Sequence, residues 1–215
     1  MRLLCLTDLH GSRHALERIL AAAPTPDLIL LGGDLTDFGS PDDAQTIVQQ
    51  AQASGVEVLA VAGNCDSAEI ERRLTELGVA LNGRGLVCQA VALQGLSAMP
   101  PWLSRMYHFT EDELAGLLEA GYAPLDGTTP HVVLSHAPPR DVLDRTARGK
   151  HVGSTALRAF VQRTQPALVV CGHIHEARGV GRLGPTTVVN CGPAASGLFA
   201  TVEIGEALRV ELHEA

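Results

Sequence analysis

MRLLCLTDLHG (residues 1–11), DLILLGGDLTD (27–37) and VEVLAVAGNCD (56–66) repeat one grammar: a short apolar run, then a small residue, then an aspartate or asparagine. Uninterrupted apolar runs, in place of polar–apolar alternation, mark strands buried on both faces. Helix-like segments separate them. Ser12 to Ala22 has helical periodicity and stops before Pro24; Pro41 to Ala53 is a polar helix; Ser67 to Leu77 follows, with Ser67 as N-cap. A β-α-β-α-β order predicts a parallel sheet with right-handed crossovers. The trailing ends of such strands meet at one edge of the sheet, where α/β proteins bind their ligands. Asp8, His10, Asp34 and Asn64 are therefore expected side by side.

Further along the chain, Leu86 to Leu93 is expected to be a strand, and Ala98 to Thr110 a loop holding Trp102, Tyr107, His108 and Phe109. Thr110 and Glu113 form a capping box that opens a helix reaching Gly121. Val132 to Ser135 and Ala167 to Cys171 are two more buried strands, separated by a basic loop and a helix from about Ser154 to Gln165. After Gly179 come Thr187 to Asn190, Leu198 to Ile204 and Leu208 to Leu212, with Gly/Pro turns between them. That tail predicts an antiparallel meander and hence a mixed sheet. With no internal repeat, low-complexity tract or linker, the expectation is one domain over residues 1–215.

The two later strands end in SHAPP, with His136, and CGHIHE, with His173 and His175. Carboxylate, amide and imidazole groups suit divalent cations and not thiolate-loving metals. Taken singly, each motif has an ordinary explanation: Gly-Asp is common turn chemistry, and Asn64 after Gly63 fits a left-handed turn. Five of them in fixed order, each behind a strand, leave such explanations little room. His14, His131 and His213 are expected at the surface or on helices, without a role.

The series Asp8-Leu9-His10, Gly33-Asp34, Gly63-Asn64-Cys65-Asp66, His136 and Gly172-His173-Ile174-His175 resembles the calcineurin-like metallophosphoesterase superfamily. Its motifs run D-x-H, G-D, G-N-H-[DE], a lone His after a strand, and G-H-x-H; the turn Asn190-Cys191-Gly192-Pro193 resembles a further family feature. The resemblance implies an α/β fold of two mixed β-sheets packed as a sandwich and flanked by helices in four α/β/β/α layers. It implies one cation on Asp8, His10, His175 and a shared Asp34, and a second on Asp34, Asn64, His136 and His173. The metals it implies are manganese first, with iron, zinc or nickel as alternatives. Asp34, Asn64 and His136 then take part in catalysis as well as ligation. Hydrolysis would proceed by in-line attack of a metal-bridging hydroxide on phosphorus, the cations standing about 3.5–4 Å apart.

Cys65 departs from the family pattern, which has histidine there to steady phosphate and protonate the leaving group. A thiol, with an ordinary pKa of about 8.5 and weak donor strength, is a poor substitute. The GNC variant resembles a branch of small bacterial and archaeal phosphodiesterases. His151, in Arg148-Gly149-Lys150-His151 before a predicted helix, is the candidate replacement acid; a merely solvated loop is the alternative. No C-x5-R loop surrounds Cys65, so a thiol-nucleophile mechanism is not expected.

Composition narrows the substrates. A net charge of -8 argues against extended nucleic acid, whose partners are usually basic. The short apolar N-terminus predicts no signal peptide, and no run of transmembrane length follows it. Five scattered cysteines without Cys-x-x-Cys spacing predict reduced thiols and a cytoplasmic location. The expectation is a small phosphorylated substrate, no membrane partner, and a loop from Pro100 to Phe109 that forms either a pocket wall or a patch for homo-oligomer formation. The competing reading is a weak or inactive scaffold of the same fold that binds protein partners.

Overall fold

A computed structural model describes residues 1–102, 105–125, 127 and 130–215. The apolar runs form β1 (Arg2–Leu6), β2 (Leu28–Gly32) and β3 (Glu57–Val61), connected by α1 (Arg13–Ala22) and α2 (Pro41–Gln52) and followed by α3 (Ala68–Glu76). The side chains of Ser12, Ser40 and Ser67 cap these three helices, each accepting a backbone N–H of the first turn. β1, β2 and β3 pair in parallel, as expected.

The predicted strand over residues 86–93 is instead an antiparallel hairpin of β4 (Gly85–Cys88) and β5 (Val91–Leu96). The turn consists of Gln89 and Ala90 in left-handed conformations (φ 47° and 66°), so no Gly or Asn marks it in the sequence. Next come α4 (Glu111–Tyr122), opened by the Thr110/Glu113 capping box, then β6 (His131–Ser135), α5 (Thr155–Thr164) and β7 (Leu168–Cys171).

The tail, β8 (Gly179–Leu183), β9 (Thr186–Asn190), β10 (Leu198–Ile204) and β11 (Leu208–Glu214), is not one meander. β9 joins β7 in parallel with β8 beside it, whereas β10 lies antiparallel to β1 with β11 outside. The Asn190–Pro193 turn moves the chain from one sheet to the other. The sheets are therefore β11-β10-β1-β2-β3 and β4-β5-β6-β7-β9-β8.

Alternation along each strand builds three cores. Leu3, Cys5, Leu28, Leu30, Leu59 and Val61 meet Leu93, Val132, Leu134 and Val170 between the sheets. Leu4, Leu6, Ile29 and Leu31 face α1–α3, and Val133, Val169 and Val188 face α4 and α5. The order is thus α/β/β/α. Burial on both faces is what the uninterrupted apolar runs record.

His131 corrects the sequence expectation: it sits inside β6, 4% exposed, with its ring near Tyr122 and Phe160. Burial pushes its pKa down to about 4, so it is a neutral core residue.

Candidate metal centre

β1, β2, β3, β6 and β7 all end at one edge, and the motif residues lie within four positions of those ends. Leaving a strand so abruptly requires unusual backbone. Asp8, His10, Asp34 and His173 have positive φ values of 57°, 46°, 48° and 65°. Asp and His tolerate this region better than most side chains, but each such residue still costs about 1 kcal/mol or more. Hydrogen bonds hold them there: Asp8 N–H to the Gly33 carbonyl (3.0 Å), His10 N–H to Asp34 (2.8 Å) and Gly11 N–H to Leu35 (2.9 Å). Strain gathered at one edge is a mark of function.

The donor atoms converge. His175 Nε2 lies 3.3 Å from Asp8 Oδ1 and 3.5 Å from His10 Nε2, which lies 3.8 Å from Asp34 Oδ2. On the other side, His136 Nε2 lies 3.6 Å from Asp34 Oδ1 and 2.8 Å from Asn64 Oδ1. The two oxygens of Asp34 thus face two different sets of donors. His136 Nδ1 is 3.0 Å from the Gly32 carbonyl, to which it donates its proton. Its Nε2 stands opposite the carbonyl oxygen of Asn64, two ligand atoms that a cation between them would hold together. His173 Nε2 is buried with no hydrogen-bond partner, its ring centroid 5.0 Å from that of His136. A cation with bonds of about 2.1 Å spaces its ligand atoms about 3.0–3.4 Å apart, close to these separations. The residues present fit divalent metals.

Electrostatics agree. Burial and the neighbouring His136 push His173 down to about 3, so it is a neutral imidazole. Burial pushes Asp8 up, but hydrogen bonding to His175 and nearby imidazoles outweigh it, leaving the carboxyl below its usual range. The Asp8 contact correspondingly raises His175.

Two glycines make the approach possible. A Cβ on Gly63 would sit 2.2 Å from Asp34 Oδ1, and one on Gly172 would sit 2.2 Å from Asp8 Oδ2. Sequence reasoning assigned no role to Asp66, which is buried and accepts N–H groups of Leu35 (3.0 Å), Thr36 (2.9 Å) and Gly63 (2.8 Å) and the Thr36 hydroxyl (2.9 Å). It ties the Asp34 and Asn64 loops together. Asn190 does the same for the His173 loop, donating to the Gly172 and Ile174 carbonyls.

Cys65 lies inside the cluster, with Sγ in the group formed with His10 and Asp34, and its N–H donates to Asp34 Oδ1 at 2.7 Å. Burial and the Asp34 charge push its thiol well up. Of the aromatic loop, Trp102 is 48% exposed and meets His173 edge-on at 5.9 Å. Tyr107 and Phe109 pack against the helix-side cores instead. Leu103 and Ser104 lie outside the described residues. His151 is gathered with Asp141 and Asp144, not with the seven.

The family model of the calcineurin-like phosphoesterases matches residues 1–177. The chain belongs to that family. It is 29% identical over 210 residues to an uncharacterized protein of Methanocaldococcus jannaschii, covering 94% of this chain and 92% of that one. It is 28% identical to a probable cyclic nucleotide phosphodiesterase of Synechococcus, covering 84% of this chain and 69% of the relative. A dimetal phosphatase from Danio rerio shares the fold, with a TM-score of 0.69 at 12% identity over 100% of this chain and 96% of that one. The strand-end residues of the family motifs are the ones that this calcineurin-like phosphoesterase brings together. Among its described residues, no helix is long and apolar enough to cross a membrane.

Proposed function

We propose that this chain is a dimetal phosphoesterase that hydrolyses phosphodiesters or small phosphorylated compounds. The observation that carries the reading is Asp34, whose two oxygens face His10 on one side and His136 on the other. One cation would be held by Asp8, His10, His175 and Asp34, the other by Asp34, Asn64, His136 and His173. Bound there, divalent cations neutralise phosphate charge and make water nucleophilic near neutral pH.

The protein's own groups position the substrate. Asn64 Nδ2 donates only to the sulfurs of Cys65 (3.3 Å) and Met106 (3.1 Å), which are weak acceptors. That leaves an amide donor ready for a phosphate oxygen. Beside His10 an open groove of about 370 Å³, lined by Gly11, Arg13, Thr36, Asp37, Asp43 and Thr46 among others, has room for the rest of a small substrate. Exposed Trp102 offers a flat apolar surface next to His173. A scaffold that only binds partners predicts eroded ligands, and the complete set favours an enzyme.

The test is metal analysis of the purified protein together with turnover of bis(p-nitrophenyl) phosphate. Addition of Mn²⁺ to chelator-stripped protein is expected to restore hydrolysis, and Asp34→Asn to abolish it. Protein that binds no divalent cation, or turns over equally without one, refutes the reading.

A further inference from the structure

A second ionisable cluster, Asp141, Asp144 and His151, lies in the loop that follows His136. Between His136 and α5 the chain runs through residues 137–154, and this loop is tied down next to two of the candidate ligands. Ser154 N–H donates to the Pro138 carbonyl (2.9 Å), two residues past His136, and Ala147 N–H donates to the carboxylate of Glu176, next to His175. Within the loop Asp144 is fully buried. Its Oδ2 accepts the Gly153 N–H at 2.9 Å, and its Oδ1 lies 2.5 Å from His151 Nδ1. Burial pushes the Asp144 carboxyl up, but the His151 and Gly153 hydrogen bonds outweigh it and keep it an anion.

By separation alone, Asp141, Asp144 and His151 could gather a cation. Asp141, however, already has Arg158 at 3.4 Å and Arg140 at 3.7 Å, so guanidinium groups supply the positive charge. What remains is a buried carboxylate on one imidazole nitrogen. It fixes the ring with its proton on Nδ1 and leaves Nε2 to exchange protons with a ligand. The His151 side chain is 40% exposed, and its Nε2 has no partner among the described residues.

We propose that His151, oriented by Asp144, donates a proton from Nε2 to the leaving oxygen of the phosphoester, the task that the buried thiol of Cys65 does not perform. This rests on the phosphoesterase reading. As the P–O bond breaks, the leaving oxygen keeps the bonding electron pair and takes the Nε2 proton. The imidazole is left neutral and recovers a proton from water, while Asp144 stays a carboxylate. Asp144 is a positioning residue; His151 is the catalytic one.

The test compares leaving groups. His151→Gln and Asp144→Asn are assayed in the full chain with Mn²⁺, on a p-nitrophenyl diester and on a methyl diester of the same phosphate. General acid catalysis contributes about a hundredfold or more where the leaving group is poor. His151→Gln is expected to lose about that factor in kcat on the methyl ester and far less on the p-nitrophenyl ester; Asp144→Asn is expected to follow the same pattern more weakly. A second readout needs no metal: imidazole ¹⁵N spectra of the chelator-treated protein should show a downfield Nδ1 proton on His151 that Asp144→Asn removes. Equal losses on both esters, no loss on the methyl ester, or absence of that proton overturns the proposal. If wild-type protein hydrolyses neither ester with any divalent cation, the phosphoesterase reading fails, and the acid role with it, even with the Asp144–His151 hydrogen bond visible.

Discussion

Replacing His173 by asparagine separates a ligand from a core residue. In the metal-free protein His173 Nε2 is buried without a partner, which costs about 1–3 kcal/mol. Asparagine accepts the φ of 65° but carries a polar amide into the same place, and it loses the ring contacts with His136 and Trp102. The cost of a buried polar group carries over and only the ring contacts are lost, so the metal-free variant should be about 1 kcal/mol less stable than wild type. The loaded protein behaves differently. A cation at a hundred times its Kd stabilises the fold by about 2.7 kcal/mol. For a chain of this size that corresponds to a rise in Tm of about 5–11 °C. Thermal denaturation of wild type and His173→Asn, with and without Mn²⁺ or Zn²⁺ after chelator treatment, should show this rise in wild type and lose most of it in the variant. A metal-free variant destabilised by more than about 3 kcal/mol, with the metal-induced rise intact, would mean that His173 is packing and not a ligand.

Two further outcomes follow from the same geometry. His131 is held neutral with its pKa at about 4 against 6.5 in the unfolded chain, so between those values only the unfolded chain binds the proton, and stability falls as pH drops. The contribution lost between pH 7.5 and pH 5 is about 2 kcal/mol, and urea titrations should find His131→Phe less pH-sensitive than wild type by that amount; identical sensitivity refutes the assignment. Gly63→Ala drives a Cβ to 2.1 Å from the Asp34 backbone nitrogen, and such overpacking costs about 1–3 kcal/mol. Displacement of the Asp34 carboxylate should cut Mn²⁺ affinity measured by calorimetry at least tenfold, and unchanged affinity would show that the approach is not critical.

Much of the site was legible in the sequence because its grammar is local. A strand buried on both faces must be apolar throughout, and a ligand at its end must follow within a few residues; both facts are written into LLCLTDLH and LVVCGHIH. The Ser67 cap and the Thr110/Glu113 box were legible for the same reason, since a cap and the amide it satisfies lie three residues apart. The Gln89–Ala90 turn was not, because neither residue carries the usual signal for positive φ.

By itself, then, the sequence determined the strands that carry the site and which side chains stand at their ends, consequences of burial and chain geometry over short spans, but not the ends of the β4–β5 hairpin. Only the tertiary structure decided that β9 and β10 separate into different sheets and that Asp66 clamps the Asp34 loop. It also decided that Asp144 lies buried against His151 and that the Asp34 oxygens face opposite imidazoles. Those outcomes depend on contacts between distant segments and on the orientation of single atoms, which local composition does not encode.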